Sequence, residues 1–225
     1  MLPYIIAFAV AVAAYLFGSI NFAIIFSGAF KNVDVRNYGS GNAGATNVLR
    51  VAGKKAGILT FAADAFKGAM SSTLGFLIFK YVLYNFGGTV HPVFCGPYGA
   101  FICGILCMIG HCWPIFFQFR GGKAAATSVG IFAVCCWPAI VAGLVGFAVT
   151  VAVRRMVSLG SLVATVIVVA GTGIAAFTGF YGSGVNPWVI TVISVLQGLL
   201  VFLRHKDNIE RLANGKEKQI DIKKD

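Results

Sequence analysis

Basic residues divide this chain into segments. Of its 18 lysines and arginines, sixteen fall in four clusters. These are Lys31, Arg36, Arg50, Lys54 and Lys55; Arg120 and Lys123; Arg154 and Arg155; and Arg204, Lys206, Arg211, Lys216, Lys218, Lys223 and Lys224. Charge is sparse in the long stretches between them. Only 11% of the 225 residues are charged and 58% are hydrophobic, with a mean hydropathy of +0.86. A soluble domain carries roughly 25% charged residues. The pattern predicts an all-α, polytopic membrane protein, and no long polar linker divides residues 1–225 into more than one domain.

Basic loops are retained in the cytoplasm, so an even number of crossings is expected between successive clusters. Segments 3–29, 56–85, 97–116, 157–178 and 187–203 each read as one span. The stretch 124–153 reads as two, broken at Pro138, because proline removes a helix donor. The expectation is seven transmembrane helices, with the N-terminus outside and the C-terminus cytoplasmic. Loops 30–55, 117–124 and 154–156 and the tail 204–225 would be cytoplasmic. The expected outer loops, near 86–96, 136–138 and 179–187, hold no Lys or Arg. No Lys or Arg precedes Lys31, so the basic region of a cleavable signal peptide is missing. The net charge of +11 suits cytoplasmic retention and attraction for anionic substrates and lipids. It does not suit nucleic acid, because the charge lies in short loops rather than on one soluble face.

Three polar islands map to the expected cytoplasmic side. The first is Arg36–Arg50, RNYGSGNAGATNVLR, too rich in glycine for an ordinary helix. Gly39, Gly41 and Gly44 let backbone approach a ligand. Ser40, Asn42, Thr46 and Asn47 offer hydrogen bonds, and Arg50 can grip an oxyanion bidentately. Such a cradle suits a phosphate. In the second, Arg120, Gly121, Gly122 and Lys123 precede a helix in which Thr127 lies one turn on. The spacing is not that of a Walker A loop. The third is RHKDNIERL followed by NGKE, where His205 and Asn208 share a helix face at i, i+3. Asp64 and Lys67 share the same spacing within the second span, as a structural ion pair or a functional one. Cys103, Cys107, Cys112 and His111 lack metal-ligand spacing, so no metal is expected and the cysteines read as small core residues.

The strings GSGNAGATNVLR (39–50), GHCWPIFFQFRGGKAAAT (110–127) and RHKDNIERLANGKEK (204–218), with DAFKG (64–68), resemble the signature motifs of the bacterial acyl-phosphate:glycerol-3-phosphate acyltransferases, the PlsY family. The resemblance runs the length of the chain in order and spacing. It implies the family's seven-helix topology in the bacterial cytoplasmic (inner) membrane, with the active site facing the cytoplasm. It implies transfer of a fatty acyl group from acyl phosphate to the 1-position of sn-glycerol 3-phosphate. The products are lysophosphatidic acid and phosphate, the first acylation of phospholipid biosynthesis. No cofactor is implied, and a soluble enzyme that supplies the acyl phosphate is a possible partner. By resemblance Ser40, Arg50, His205 and Asn208 are catalytic, and the Gly121–Gly122–Lys123 loop binds the glycerol-3-phosphate phosphate. Glu217 is then structural. Lys67, Arg120 and Thr127 are further phosphate-binding candidates, with Asp64 a structural residue near them.

Two positions depart from the family pattern. Ala124 stands where a third glycine is usual, which puts the phosphate contacts in doubt. Asn21 stands where the first helix usually has proline, with the expected loss of a kink. The general base is open between His205 and the donor's own phosphate. Direct transfer is favoured over an acyl-Ser40 intermediate because no base partner lies beside Ser40 in sequence. A transporter for phosphorylated metabolites would show polar groups on both sides or an internal repeat. A metal-dependent phosphatase would need an acidic cluster.

Overall fold

The structure, a computed structural model, describes residues 1–220, so Lys223 and Lys224 of the basic tail lie outside the described residues. It is helical: α1 (Leu2–Gly18), α2 (Phe22–Lys31), α3 (Ala45–Ala52), α4 (Lys54–Leu77), α5 (Gly96–Cys112), α6 (Ala125–Cys135), α7 (Trp137–Arg154), α8 (Val157–Phe177), α9 (Pro187–Arg204) and α10 (Lys206–Ala213). A π-helical turn, Ile78–Leu83, extends α4.

Among the described residues, five segments are long and apolar enough to cross a membrane, not seven: Leu2–Lys31, Gly96–Phe117, Trp137–Arg154, Val157–Phe177 and Pro187–Arg204. Two expected spans fall short for different reasons. Within 56–85, α4 has the length but not the apolarity, because it buries Thr60, Asp64, Lys67, Ser71 and Ser72. The segment 124–136 yields α6, only 11 residues, about 16 Å long against a hydrocarbon core of about 30 Å. Counting crossings from charge alone assigned a span to each, but α4 is held by polar contacts inside the bundle and α6 is a short helix packed on it.

That packing is close. A Cβ added at Gly68 would strike the Thr127 carbonyl, and one at Gly130 would strike the Ala65 carbonyl. Small residues thus bring the α4 and α6 backbones together. α5 packs on α1 and α4, and α7 pairs with α8, which leans on α9. The main core gathers Phe101, Met108, Ile131, Phe132, Ile140, Val168, Ile190 and Val201 between these helices.

The break between α1 and α2 survives without proline. Asn21 is extended (φ −96°, ψ 95°), and its Oδ1 accepts the Ile24 N–H at 3.2 Å, an N-cap that starts α2. The expected loss of a kink at Asn21 is therefore corrected: a capping side chain restarts the helix where proline would have stopped it.

Candidate active site

The first island folds around one side chain. Asn47 is 1% exposed. Its Nδ2 donates to the carbonyls of Val35 (3.0 Å) and Tyr38 (2.9 Å), and its Oδ1 accepts the Ser40 N–H at 2.9 Å. Gly39 and Gly41 take positive φ, +65° and +72°, which suits glycine. Asp34 caps the turn before the loop by accepting the Arg36 N–H at 2.9 Å, and also pairs with the guanidinium. The hydrogen bond from Arg36 holds the Asp34 carboxyl below its ordinary range. Arg36 also donates from Nη1 to the Phe117 carbonyl at 2.9 Å, tying the first island to the second. The loop delivers Ser40, Asn42 and the uncapped N-terminus of α3 to a cleft.

The second island is held by main chain. Gly121 N–H donates to the Cys112 carbonyl (3.2 Å) and Gly122 N–H to that of His111 (3.1 Å). Arg204 donates to the carbonyls of Gly122 (3.1 Å) and Gly121 (3.3 Å) and stacks over Trp113 at 5.3 Å. Added Cβ atoms at Gly121 and Gly122 would run into the His111 carbonyl and ring. These glycines are therefore spent on packing, and their N–H groups are not presented to a ligand. Ala124 is the N-cap of α6 at φ +58°, a left-handed conformation in which a methyl is strained. The expected difficulty at Ala124 is thus backbone strain in the residue that launches α6. That helix, like α3, starts with no side-chain cap.

The third island closes the site from below. Glu217 accepts from Ser158 Oγ (2.8 Å) and Asn208 Nδ2 (2.7 Å) on one oxygen and from Arg211 Nε (2.8 Å) on the other. Burial pushes its carboxyl up, but these three donors outweigh burial and hold it lower than usual. Because a carboxylate only accepts, Asn208 must turn its NH₂ to Glu217 and its Oδ1 outward, where Lys123 Nζ donates to it. Burial pushes the Lys123 ammonium down to about 8. His205 approaches the Val201 carbonyl at 2.8 Å through Nδ1. A carbonyl only accepts, so Nδ1 carries the proton and Nε2 keeps its lone pair. Burial pushes the imidazole down to about 4, so it is neutral near pH 7.

Two cavities meet here. One, about 270 Å³, joins Ser40, Asn42, Thr46, Arg50, Lys123, His205 and Asn208 to an apolar arm between α6, α7, α8 and α9, lined by Phe132, Ile140, Leu144, Val168, Val169 and Val201. The other, about 440 Å³, is polar and carries six cations, Arg36, Arg120, Lys123, Arg204, Lys206 and Arg211, against the single carboxylate of Asp207. Ser40, Asn42, Lys123 and Arg211 line both. The arrangement accepts an amphiphile with an anionic head in the first cavity and a water-soluble anion in the second, with their polar ends at a shared wall.

Of the residues singled out in the sequence, four line neither cavity. Gly39 shapes the loop. Gly122 packs on His111. Thr127 is fully buried, with no hydrogen-bond partner for Oγ1. Lys67 is fully buried and donates to the Ile20 carbonyl at 2.7 Å, with Asp64 Oδ1 at 2.9 Å. That carboxylate oxygen lies off the hydrogen-bond direction, so the contact is an ion pair rather than a hydrogen bond. Asp64, with His111 Nδ1 at 3.5 Å, does line the first cavity. The polar groups of Asn47 and Lys67 and the N–H of Gly122 are engaged within the protein, and Thr127 Oγ1 is buried, although Asn47 also lines the first cavity. Arg204 and Arg211 were within view in the third island but unassigned. Ser158 gave no signal, being one serine in an apolar helix.

Residues 8–215 match the model of the glycerol-3-phosphate acyltransferase family. The chain is 40% identical over 213 residues to a glycerol-3-phosphate acyltransferase of Thermoanaerobacter sp. (strain X514), covering 93% of each chain. It is 39% identical to one of Anaeromyxobacter dehalogenans (strain 2CP-1 / ATCC BAA-258), covering 98% of this chain and all of that one. It is also similar to a crystal structure of PlsY, an integral membrane glycerol 3-phosphate acyltransferase, in its glycerol 3-phosphate form. The TM-score there is 0.76, with 31% identity and 95% of each chain covered.

Proposed function

The chain belongs to the glycerol-3-phosphate acyltransferase family, and from that premise we propose how its site performs acyl transfer. The enzyme moves a fatty acyl group from acyl phosphate to the 1-hydroxyl of sn-glycerol 3-phosphate, giving lysophosphatidic acid and phosphate. The observation that carries this reading is the shared wall between an apolar arm and a cationic pocket. An acyl phosphate has an apolar tail and an anionic head, and fits the first cavity. Glycerol 3-phosphate is small and anionic, and fits the second. Cytoplasmic exposure of the site is part of the proposal, and the basic clusters around it support that side.

Both substrates are anions, so the first task is to hold them together, for which Arg50, Lys123 and Arg211 supply positive potential. Proximity does much of the rest, since acyl phosphate is already activated. The 1-hydroxyl oxygen attacks the acyl carbonyl carbon, the C–O bond to phosphate breaks, and phosphate leaves with that bond's electron pair. Charge grows on the carbonyl oxygen and the departing phosphate. The uncapped N–H groups of α3 and α6, with Lys123, are suited to stabilise it. The hydroxyl proton passes to the donor phosphate rather than to His205. The phosphate of this mixed anhydride gains basicity as the C–O bond breaks and charge moves onto it, whereas burial lowers the His205 imidazole, so the departing phosphate takes the proton. His205 Nε2 then serves as a hydrogen-bond acceptor that orients the attacking hydroxyl. Ser40 binds a phosphate, and transfer is direct.

The test is phosphate release from acyl phosphate by purified protein. It should require glycerol 3-phosphate, give no rate with acyl-CoA, and persist in EDTA. Equal use of acyl-CoA would sink the assignment of the donor. Ser40→Cys probes the covalent alternative, and a thioester trapped on the new thiol would replace direct transfer with an acyl-enzyme.

A further inference from the structure

The polar stripe of α4 holds a full charge pair. Asp64 is 1% exposed and Lys67 0%, with Lys67 Nζ 2.9 Å from Asp64 Oδ1. Stability alone gives such a pair little reason to exist, because well-packed apolar residues of similar volume serve a fold as well or better. Its position says more. Lys67 Nζ donates to the Ile20 carbonyl at 2.7 Å, at the break where Asn21 starts α2. From α2, Ser27 Oγ accepts the Val35 N–H at 3.3 Å, just before the first island. Asp64 Oδ1 also meets His111 Nδ1, at 3.5 Å, near the end of α5 where the second island begins. The pair therefore stands between the roots of the two islands.

His111 carries that contact to the site. It is the last residue but one of α5 and is buried. Its carbonyl accepts the Gly122 N–H at 3.1 Å. Its ring lies against the same glycine: a Cβ added at Gly122 would run into His111 Nε2 and into the Ala43 carbonyl of the first island. Gly122 is thus the point where the ring, the end of α5 and the first loop meet. The next residue is Lys123, whose Nζ donates to Asn208 Oδ1 and which lines both cavities. A carboxylate only accepts, so Asp64 favours the tautomer with a proton on Nδ1 and draws that edge of the ring toward α4. Nε2, on the far edge, then stays under Gly122. A ring free to turn would take that floor away, and Lys123 would shift with Gly122. Misplacing a substrate-holding group by about 1 Å is costly.

We infer that Asp64 is a positioning residue for glycerol 3-phosphate: through His111 it fixes Gly122, and so sets Lys123 at the wall the two cavities share. The inference rests on the acyl transfer proposed above. Asp64 and His111 act through the contacts they make inside the bundle, and Lys67 is the counter-ion that keeps the carboxylate charged there.

The experiment measures Kd for glycerol 3-phosphate by calorimetry on the full-length purified protein, beside Tm and phosphate release from acyl phosphate. Asp64→Asn keeps the side chain's size and removes its charge, and should raise Kd about tenfold. It also leaves a buried ammonium without its counter-charge, which destabilises. The second variant is therefore Asp64→Leu with Lys67→Met, which removes both charges at similar volume and should raise Kd by the same factor. His111→Gln loses the donor toward Asp64 and should do likewise. Adding His111→Gln to the Asp64→Leu, Lys67→Met protein should bring no further rise, because residues acting through one chain of contacts do not add. A purely structural pair would lower Tm and leave Kd unchanged, so an unchanged Kd in a folded Asp64 variant overturns the inference. A combined rise of about a hundredfold would show that Asp64 does not act through His111, and would overturn it too. Should neither Asp64 variant fold, His111→Gln decides, and a wild-type Kd overturns the inference. These outcomes are read in protein whose wild type is active. A wild type that released no phosphate from acyl phosphate would overturn the acyl-transfer reading itself, and this inference with it.

Discussion

The first and second islands present the same kind of surface, a glycine-rich turn leading into a helix with no side-chain cap, yet they are held in opposite ways. The first hangs on a side chain: Asn47 alone makes three hydrogen bonds to the loop. The second hangs on main chain, with Gly121 and Gly122 bonded to the end of α5 and Arg204 gripping their carbonyls. Similar composition therefore conceals different duties. In the first island an asparagine that looks like a ligand is scaffold. In the second the glycines that look like a ligand's seat are packing, and the side chain that lines both cavities is Lys123.

The largest break in that comparison comes from the cation each loop offers. Arg50→Ala and Lys123→Ala should each lower kcat/KM by about 10²–10³, the usual cost of one transition-state donor, measured as phosphate release. A tenfold disparity would mean that the two loops are not equivalent partners. Next is the scaffold of the first loop. Asn47→Ala strips three buried bonds and should cost about 3 kcal/mol at roughly 1 kcal/mol each, read as a lowered Tm. A Tm within 1 °C of wild type would remove Asn47 from that role. The matching change in the second loop, Arg204→Lys, keeps charge but loses the fork. It should raise KM for glycerol 3-phosphate about tenfold, while a raised KM for acyl phosphate alone would place Arg204 in the wrong cavity.

A titration separates the loops without truncation. Lys123, pushed down to about 8 by burial, is charged below that pH and neutral above it. Affinity for glycerol 3-phosphate should then fall as pH rises through 8, by about tenfold at the limit. Lys123→Arg should flatten that fall, and an unchanged inflection would assign it to another group. The smallest effect is at Ala124. Ala124→Gly relieves a methyl at φ +58° and should stabilise by about 1 kcal/mol, seen as a Tm gain. A loss would show that its buried methyl matters more than its backbone strain.

Ala124 and Asn21 show how far a family pattern can be read from residues. Both departures were visible in the sequence, but their consequences depended on backbone angles. Asn21 caps a helix that was expected to run on, and Ala124 adopts the glycine-like conformation anyway. The membrane class, the three islands and the cavity-lining Ser40, Asn42, Arg50, Lys123, His205 and Asn208 were legible, because charge, glycine and asparagine stand out against an apolar background. Ser158, Arg204 and Arg211 were not legible as site residues. Their roles come from Glu217 and the Gly121–Gly122 carbonyls, which only folding brings near.

By itself the sequence determined that the chain lies in a membrane and gathers cations beside it, since hydropathy and charge are local properties summed along the chain. Only the tertiary structure decided which helices qualify as spans. A polar stripe on α4 can be buried against α5 and α6, and no count of charges reveals whether such partners exist. It also decided which polar groups remain for a ligand, because a hydrogen-bonding group used within the protein reads the same in sequence as one left free.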